Sequence, residues 1–192
     1  MFFGQNCKKS SKNKHFSQKK RRGQVWIETV MYTLIALVMI GLVLSFARPK
    51  IQELQDRTII EQSITLMKEI ELTITDMCEC QGNQRILELN IKKGELTIDS
   101  PNDKLIFEIE STYTYSEPDV EIVDGNLLIY TNKIGDINMI NITRDFSSSY
   151  DLTYDGSDEA EILTTSSGTY RLFFSNEGEN ENNKIIININ TL

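Results

Sequence analysis

The chain has 192 residues, of which 20 are basic and 28 acidic, for a formal net charge of −8. Its single histidine, His15, lies close to the N-terminus, so the remainder offers no histidine for a Ser/His or Cys/His nucleophile pair or a His-ligated metal. The carboxylates are scattered over turns and alternating positions, as on a solvated face, and a glycosidase-type carboxylate pair is left as a minor alternative. We therefore predict no catalytic residue, no metal and no cofactor.

A basic leader precedes an apolar run, and the two together predict a membrane span. Residues 29–47 form a stretch of 19 residues without a charge, which is enough for a helix to cross the bilayer core. The charges before residue 28 are all positive, and positive flanks stay in the cytoplasm. Residues 48–192 hold 12 of the 20 basic and 27 of the 28 acidic residues, a formal charge of −15. This acidic part is expected outside the cell, and no nucleic-acid partner is predicted for it.

Two common export signals fit the junction poorly. Ser45-Phe46-Ala47 supplies the small residues of a signal-peptidase site, but the apolar core before it is longer than such signals carry and begins with a charged residue. Arg21-Arg22 suggests a twin-arginine signal. The residues that follow that pair are unusually hydrophobic for this route, which disfavours it.

A third pattern lies in residues 19–28, where four basic residues are followed by Gly23-Gln24 and then by Glu28 at the start of the apolar helix. This pattern resembles the class III signal peptides of archaeal type IV pilin-like proteins and archaellins. The resemblance implies that a prepilin peptidase cuts between Gly23 and Gln24 on the cytoplasmic side and removes residues 1–23. It also implies that the helix at residues 24–47 is retained, first as a membrane anchor and later in the core of a filament.

Glu28 is the charged residue that this hypothesis must explain. A carboxylate just inside a membrane helix is costly and usually marks a partner or a pathway. After the implied cut, the new α-amino group of Gln24 on a neighbouring subunit could neutralise it, and the helix N-terminus also favours a carboxylate in the first turn. The alternative is that Glu28 sits solvated at the headgroup level. We favour a role in assembly.

Apolar residues keep a helical spacing beyond the span, which predicts an amphipathic extension over residues 48–80. Pro49 lies at the membrane boundary, where a proline either kinks one helix or separates two. The expected buried stripe consists of Ile51, Leu54, Ile60, Ile64, Met67, Ile70, Ile74 and Met77. The expected solvated face consists of Glu53, Asp56, Arg57, Glu61, Gln62, Lys68, Glu69 and Glu71.

From residue 81 the pattern changes to alternation between turn residues, which predicts an extracellular, antiparallel β-sandwich-like domain over residues 81–192. The fold class is therefore α+β. We expect Lys92-Lys93-Gly94 to turn a first hairpin and Gly125-Asn126 a second. The polar residues 176–183 are expected to form a mobile surface loop. Further strands are expected at residues 105–109, 137–143, 150–154, 160–165, 169–175 and 184–190. Phrases within residues 150–157 and 169–178 also resemble the β-domains of archaeal pilin-like chains.

Three local features carry modification or ligand hypotheses. Cys78 and Cys80 lie on the oxidising side of the membrane, where a local disulfide, an intersubunit disulfide and two free thiols are all open. Asn141 begins the sequon Asn-Ile-Thr, and the pilin resemblance favours a glycan there. The run at residues 155–159 clusters oxygen ligands without EF-hand spacing, so a turn is preferred over a weak calcium site.

The resulting hypothesis is a non-enzymatic structural subunit, a major or minor pilin, of an archaeal type IV pilus-like surface filament. The resemblance implies four kinds of partner: the prepilin peptidase, a membrane platform protein with an assembly ATPase, other pilin subunits in a homo- or hetero-polymer, and membrane lipid before assembly. The N-terminus is expected in the cytoplasm and the C-terminal domain outside. The alternative is a non-polymerising, single-pass anchored module for adhesion or ligand binding.

Overall fold

The computed structural model describes residues 22–77, 81–166 and 168–191, and it describes side chains from Val25 onward. One long helix, α1 (Arg22–Met77), is followed by a β-rich part, which confirms the α+β class. The chain divides into two compact units, residues 1–46 and residues 47–192. The strands are β1 (Gln84–Leu89), β2 (Glu95–Asp99), β3 (Lys104–Ser111), β4 (Glu121–Asp124), β5 (Leu127–Ile134), β6 (Ile137–Asp145), β7 (Tyr150–Tyr154), β8 (Glu161–Thr164), β9 (Tyr170–Glu179) and β10 (Ile185–Thr191).

In the first unit, α1 is apolar on all sides. Every side chain from Val25 to Phe46 is exposed. Two threonine hydroxyls on this segment are satisfied within the helix, since Thr29 donates to the carbonyl of Val25 and Thr33 to that of Val30. By length and composition this is a helix that can cross a membrane.

In the second unit, α1 runs through Pro49 without ending. Of the two expected alternatives, a kink in one helix or a break between two, Pro49 does not break the helix. The stripe from Ile60 to Met77 is buried as expected, at three- and four-residue spacing. Ile51 and Leu54 were expected in this stripe and are instead 53% and 63% exposed. The expectation was wrong because the β-rich part covers this side of α1 only from Asp56 onward.

The strands form two sheets. A four-stranded sheet has the order β1-β9-β10-β7, and a six-stranded sheet has the order β4-β5-β6-β3-β2-β8. All strand pairs are antiparallel except β7 with β10, which is parallel. Buried residues of both sheets and of α1 belong to one hydrophobic cluster. The sandwich-like expectation is therefore confirmed, with the second half of α1 as part of the core.

The two expected hairpins had different outcomes. Gly125-Asn126 joins β4 to β5, with Asp124 paired to Leu127, as expected. The hairpin at Lys92-Lys93-Gly94 is wrong, because β1 pairs with β9 in one sheet whereas β2 pairs with β3 and β8 in the other. This turn carries the chain between sheets. Gly94 has φ +88°, and a Cβ there would lie 2.2 Å from the carbonyl oxygen of Glu108, so the passage over β3 requires glycine.

The expected mobile loop at residues 176–183 is also wrong. Strand β9 continues to Glu179, and Asn176 is only 4% exposed. Polar residues are tolerated there because their hydrogen bonds are satisfied: the backbone N–H of Asn176 donates to Asn83, and its side-chain oxygen accepts from the N–H of Gly178. The turn between β9 and β10 is confined to residues 180–184.

Candidate functional site

The expected processing site lies at the very start of α1. The helix begins at Arg22, so the backbones of Gly23 and Gln24 lie in its first turn. The side chain of Gln24 lies outside the part that the structure describes. Cleavage after Gly23 therefore stays a prediction.

Glu28 is exposed on the first unit of α1. Tyr32, one turn further along, donates its hydroxyl to Oε1 of Glu28 at 3.3 Å. The two residues lie in an open depression of about 400 Å³ that is otherwise lined by Ile27, Met31 and Ile35. Sequence reasoning missed Tyr32, although the i, i+4 spacing of a donor and a carboxylate on one helix face was available to find it.

The apolar surface around Glu28 has no partner among the described residues. Bulky side chains such as Trp26, Leu37 and Phe46 are more than half exposed. Apolar patches of this extent mark membrane or protein contacts in ordinary proteins. This segment can therefore either lie in lipid or pack against other apolar helices.

In the second unit, Asp56 ties α1 to the β-rich part. It was expected on the solvated face, but it is only 3% exposed. Oδ1 accepts from Nζ of Lys93 at 2.7 Å, and Oδ2 accepts from the N–H and the hydroxyl of Thr112 at 2.7 and 2.9 Å. Burial by itself raises the pKa of Asp56, but these hydrogen bonds outweigh it and hold the pKa below its ordinary value. The carboxylate is therefore ionised and holds α1 to Lys93 and Thr112, a set of contacts here called the clamp.

Two further side chains of α1 reach the six-stranded sheet. Lys68 donates to both carboxylate oxygens of Asp124 at 2.9 Å. Glu71 accepts from the side-chain amide of Asn126 at 2.6 Å and lies 3.0 Å from Nε of Arg144. Glu71 was expected on the solvated face, but its side chain is largely buried by this contact. The hairpin of β4 and β5 is thus fixed against the helix.

The C-terminal end of α1 is also held by the β-rich part. The carbonyl of Met77 accepts from the side-chain amides of Asn83 and Asn176, both at 3.2 Å. Such donors satisfy a carbonyl that the helix itself leaves without a partner. Cys78 and Cys80 follow immediately, and they lie outside the described residues, so their redox state stays a prediction.

Asn141 lies on β6, a central strand of the six-stranded sheet. It pairs in register with Glu108 of β3 and Tyr130 of β5. Its side chain is half-buried, and its Oδ1 atom is shielded from solvent without a hydrogen-bond partner among the described residues. A glycan at this position stays a prediction, and the side chain of Asn141 lies on the face of the sheet opposite Ile140 and Ile142.

The run at residues 155–159 begins with a tight turn, as expected. Tyr154 and Ser157 exchange backbone hydrogen bonds across Asp155 and Gly156, both of which have positive φ. The N–H of Gly156 also donates to the side chain of Asn188. In the described ranges, no three His, Cys, Asp or Glu side chains are grouped as metal ligands.

Comparison with known proteins gives no relative. No protein family, no curated protein and no solved structure matches the chain.

Proposed function

We propose that the chain is the precursor of a structural subunit of an archaeal type IV pilus-like surface filament. In this proposal a prepilin peptidase cuts between Gly23 and Gln24, α1 anchors the mature protein in the membrane, and an assembly ATPase with a platform protein transfers it to the growing filament. The protein has no catalytic task. The β-rich second unit is displayed outside the cell.

The observation that carries the proposal is the fully exposed apolar segment from Val25 to Phe46, with one carboxylate, Glu28, near its start. The segment can cross a membrane, which supports an anchor. Glu28 gives a simple anchor no benefit, because a carboxylate in a lipid-facing helix costs free energy. In a bundle of such helices, the same group can pair with the α-amino group of Gln24 of a neighbour, and the helices can bury one another's apolar surface.

The first test is N-terminal mass spectrometry of the protein from its native membrane. A mature N-terminus at Gln24 is expected. A start at Met1 would defeat the processing step and leave the anchored adhesion or binding module as the better hypothesis. A start at Arg48 would show that the apolar helix is removed.

The second test is the substitution Glu28→Ala, compared with Glu53→Ala as a matched control. Glu53 lies on the same helix and pairs with Lys50 on the surface. We expect Glu28→Ala to abolish or strongly reduce filaments seen by electron microscopy, while the protein stays in the membrane and Glu53→Ala assembles normally. Normal filaments with Glu28→Ala, or no filaments in the wild type, would contradict the assembly role.

A further inference from the structure

Two apolar features of the second unit are left uncovered by the described residues. The first is a groove beside α1, the apolar groove, with a volume of about 430 Å³, lined mainly by Ile51, Leu54, Gln55, Thr58, Ile59 and Lys92. The second is the tip of the hairpin between β5 and β6, residues 132–137, here called the hairpin tip. A concave and a convex apolar surface on one chain can be complementary between two copies.

The hairpin tip carries a pair of exposed isoleucines. Ile134 and Ile137 face each other across the turn Gly135-Asp136, and they are 61% and 48% exposed. Lys133 beside them makes no ion pair with the described residues. Single exposed isoleucines need no explanation, but a pair at a protruding turn presents a compact apolar knob.

Charges around the apolar groove match those of the hairpin tip. A second depression of about 380 Å³ continues the groove, shares Thr58, Ile59 and Lys92 with it, and adds the carboxylates of Glu61, Glu69 and Glu88. Two of these carboxylates already pair within the chain, Glu61 with Arg57 and Glu88 with Arg171, whereas Glu69 makes no ion pair with the described residues. Glu69 can therefore pair with Lys133 of an incoming tip, and Lys92 can pair with Asp136. Complementary charges of this kind set the register of a contact more than its strength.

A short chain of contacts within one copy links the two features. Asp56, next to Gln55 of the groove, binds Thr112, and Thr114 accepts a hydrogen bond from the side chain of Asn138, next to Ile137. The tip residues are not among those that line their own groove, so the contact joins different copies. Because it joins two different surfaces, it can repeat into a ring or an open helical filament.

We propose that the hairpin tip of one copy docks in the apolar groove of a second copy. Ile134 and Ile137 enter the groove between Leu54, Ile59 and Lys92, and Lys133 faces Glu69. This proposal rests on the proposed function, because it places the contact in a filament. The contact adds a second interface outside the helix bundle, and it covers both the apolar groove and the hairpin tip.

The test is photo-crosslinking of the full chain in phosphatidylcholine vesicles, with unlabelled protein carrying a photoreactive residue at position 55 mixed with ¹⁵N-labelled wild type. Crosslinks from position 55 to the labelled tryptic peptide 134–144 are expected. The control carries the photoreactive residue at position 162, because Ile162 is also exposed but lies on β8. It should give no such product.

Substitutions in the labelled copy then test the contact itself. Ile134→Asp should lower the yield at least about fivefold, because it places a charge in an apolar groove. Lys133→Glu should lower it about two- to fivefold, and Glu69→Lys in the unlabelled copy should restore it. Because Lys133→Glu removes a tryptic site, its crosslinks are measured on the labelled tryptic peptide 105–144. Crosslinks to lipid only, within one copy only, or unchanged by Ile134→Asp would overturn the proposal. Failure of cleavage at Gln24 would instead defeat the proposed function and leave these crosslinks unaffected.

Discussion

The two halves of α1 are built for different surroundings, although they belong to one helix. From Val25 to Phe46 the helix exposes apolar side chains, and the hydroxyls of Thr29 and Thr33 bond to its own carbonyls. From Ile60 to Met77 one stripe is buried, and Lys68 and Glu71 bond to residues of the β4–β5 hairpin. The second half is therefore covered by other parts of its own chain, whereas the first half exposes an apolar surface that no other described residue covers.

Truncation of a buried side chain should show the difference between the two halves of α1 most strongly. Ile70 is fully buried, so Ile70→Ala should lower the free energy of unfolding of the β-rich unit by about 2–5 kcal/mol, through lost burial and the cavity left behind. Leu37→Ala, in the exposed half, should leave it unchanged. Urea titration of the full chain in detergent, followed by near-ultraviolet circular dichroism, measures both. Equal effects would show that the two halves are not independent.

Removal of the Asp56 charge should give the next largest effect. Asp56→Asn keeps the shape but weakens the bonds from Lys93 and Thr112, so we expect a loss of about 2 kcal/mol in the free energy of unfolding. Asp158→Asn, at an exposed position, serves as the control and should change it by less than about 0.5 kcal/mol. A neutral Asp56→Asn would mean that the clamp adds nothing to stability.

The same clamp should be visible in the pH dependence of stability. Because the folded pKa of Asp56 lies below its unfolded value of about 4, its contribution is fully present above that pH and is lost as the pH falls through the folded pKa. The difference between wild type and Asp56→Asn should therefore shrink below about pH 4. Urea midpoints measured at several pH values test this, and a difference that grows on acidification would contradict the sign.

The smallest effect is expected at Leu54, which belongs to the second half but is exposed like the first. Leu54→Ser should change the free energy of unfolding by less than about 0.5 kcal/mol, because the largely exposed side chain of Leu54 buries little apolar area on folding. The same urea titration measures it. A loss above about 1 kcal/mol would place Leu54 in a contact within its own copy rather than on a free groove.

The sequence predicted those parts of the fold that follow from local periodicity. The stripe from Ile60 to Met77, the Gly125-Asn126 hairpin and most strand positions depend on spacing alone. Partners distant in sequence could not be predicted in this way. No local pattern near Asp56 indicates that it binds Thr112, 56 residues away. No local pattern near Asn176 indicates that its side chain donates to the carbonyl of Met77.

Some parts of the candidate site could likewise be predicted from the sequence and others could not. Glu28 and the apolar span could be predicted because a charge within an uncharged run is visible in one sequence. The apolar groove could not, because Ile51 and Leu54 have the same spacing as the buried stripe and only the extent of the β-rich part separates them. Tyr32 is an intermediate case. Its i, i+4 spacing from Glu28 was visible in the sequence, but the sequence did not indicate that its hydroxyl bonds to that carboxylate.

The position of β10 has a consequence for the order in which the two sheets can form during synthesis. This strand lies between β9 and β7, so the four-stranded sheet has no continuous hydrogen-bonded array until residues 185–191 are in place. The chain is made from its N-terminus, so α1 and all strands of the six-stranded sheet, the last of which is β8, are made before β10. Strand β1 must wait for β9, and β7 must wait for β10. The four-stranded sheet is therefore completed only after every other described strand has been made.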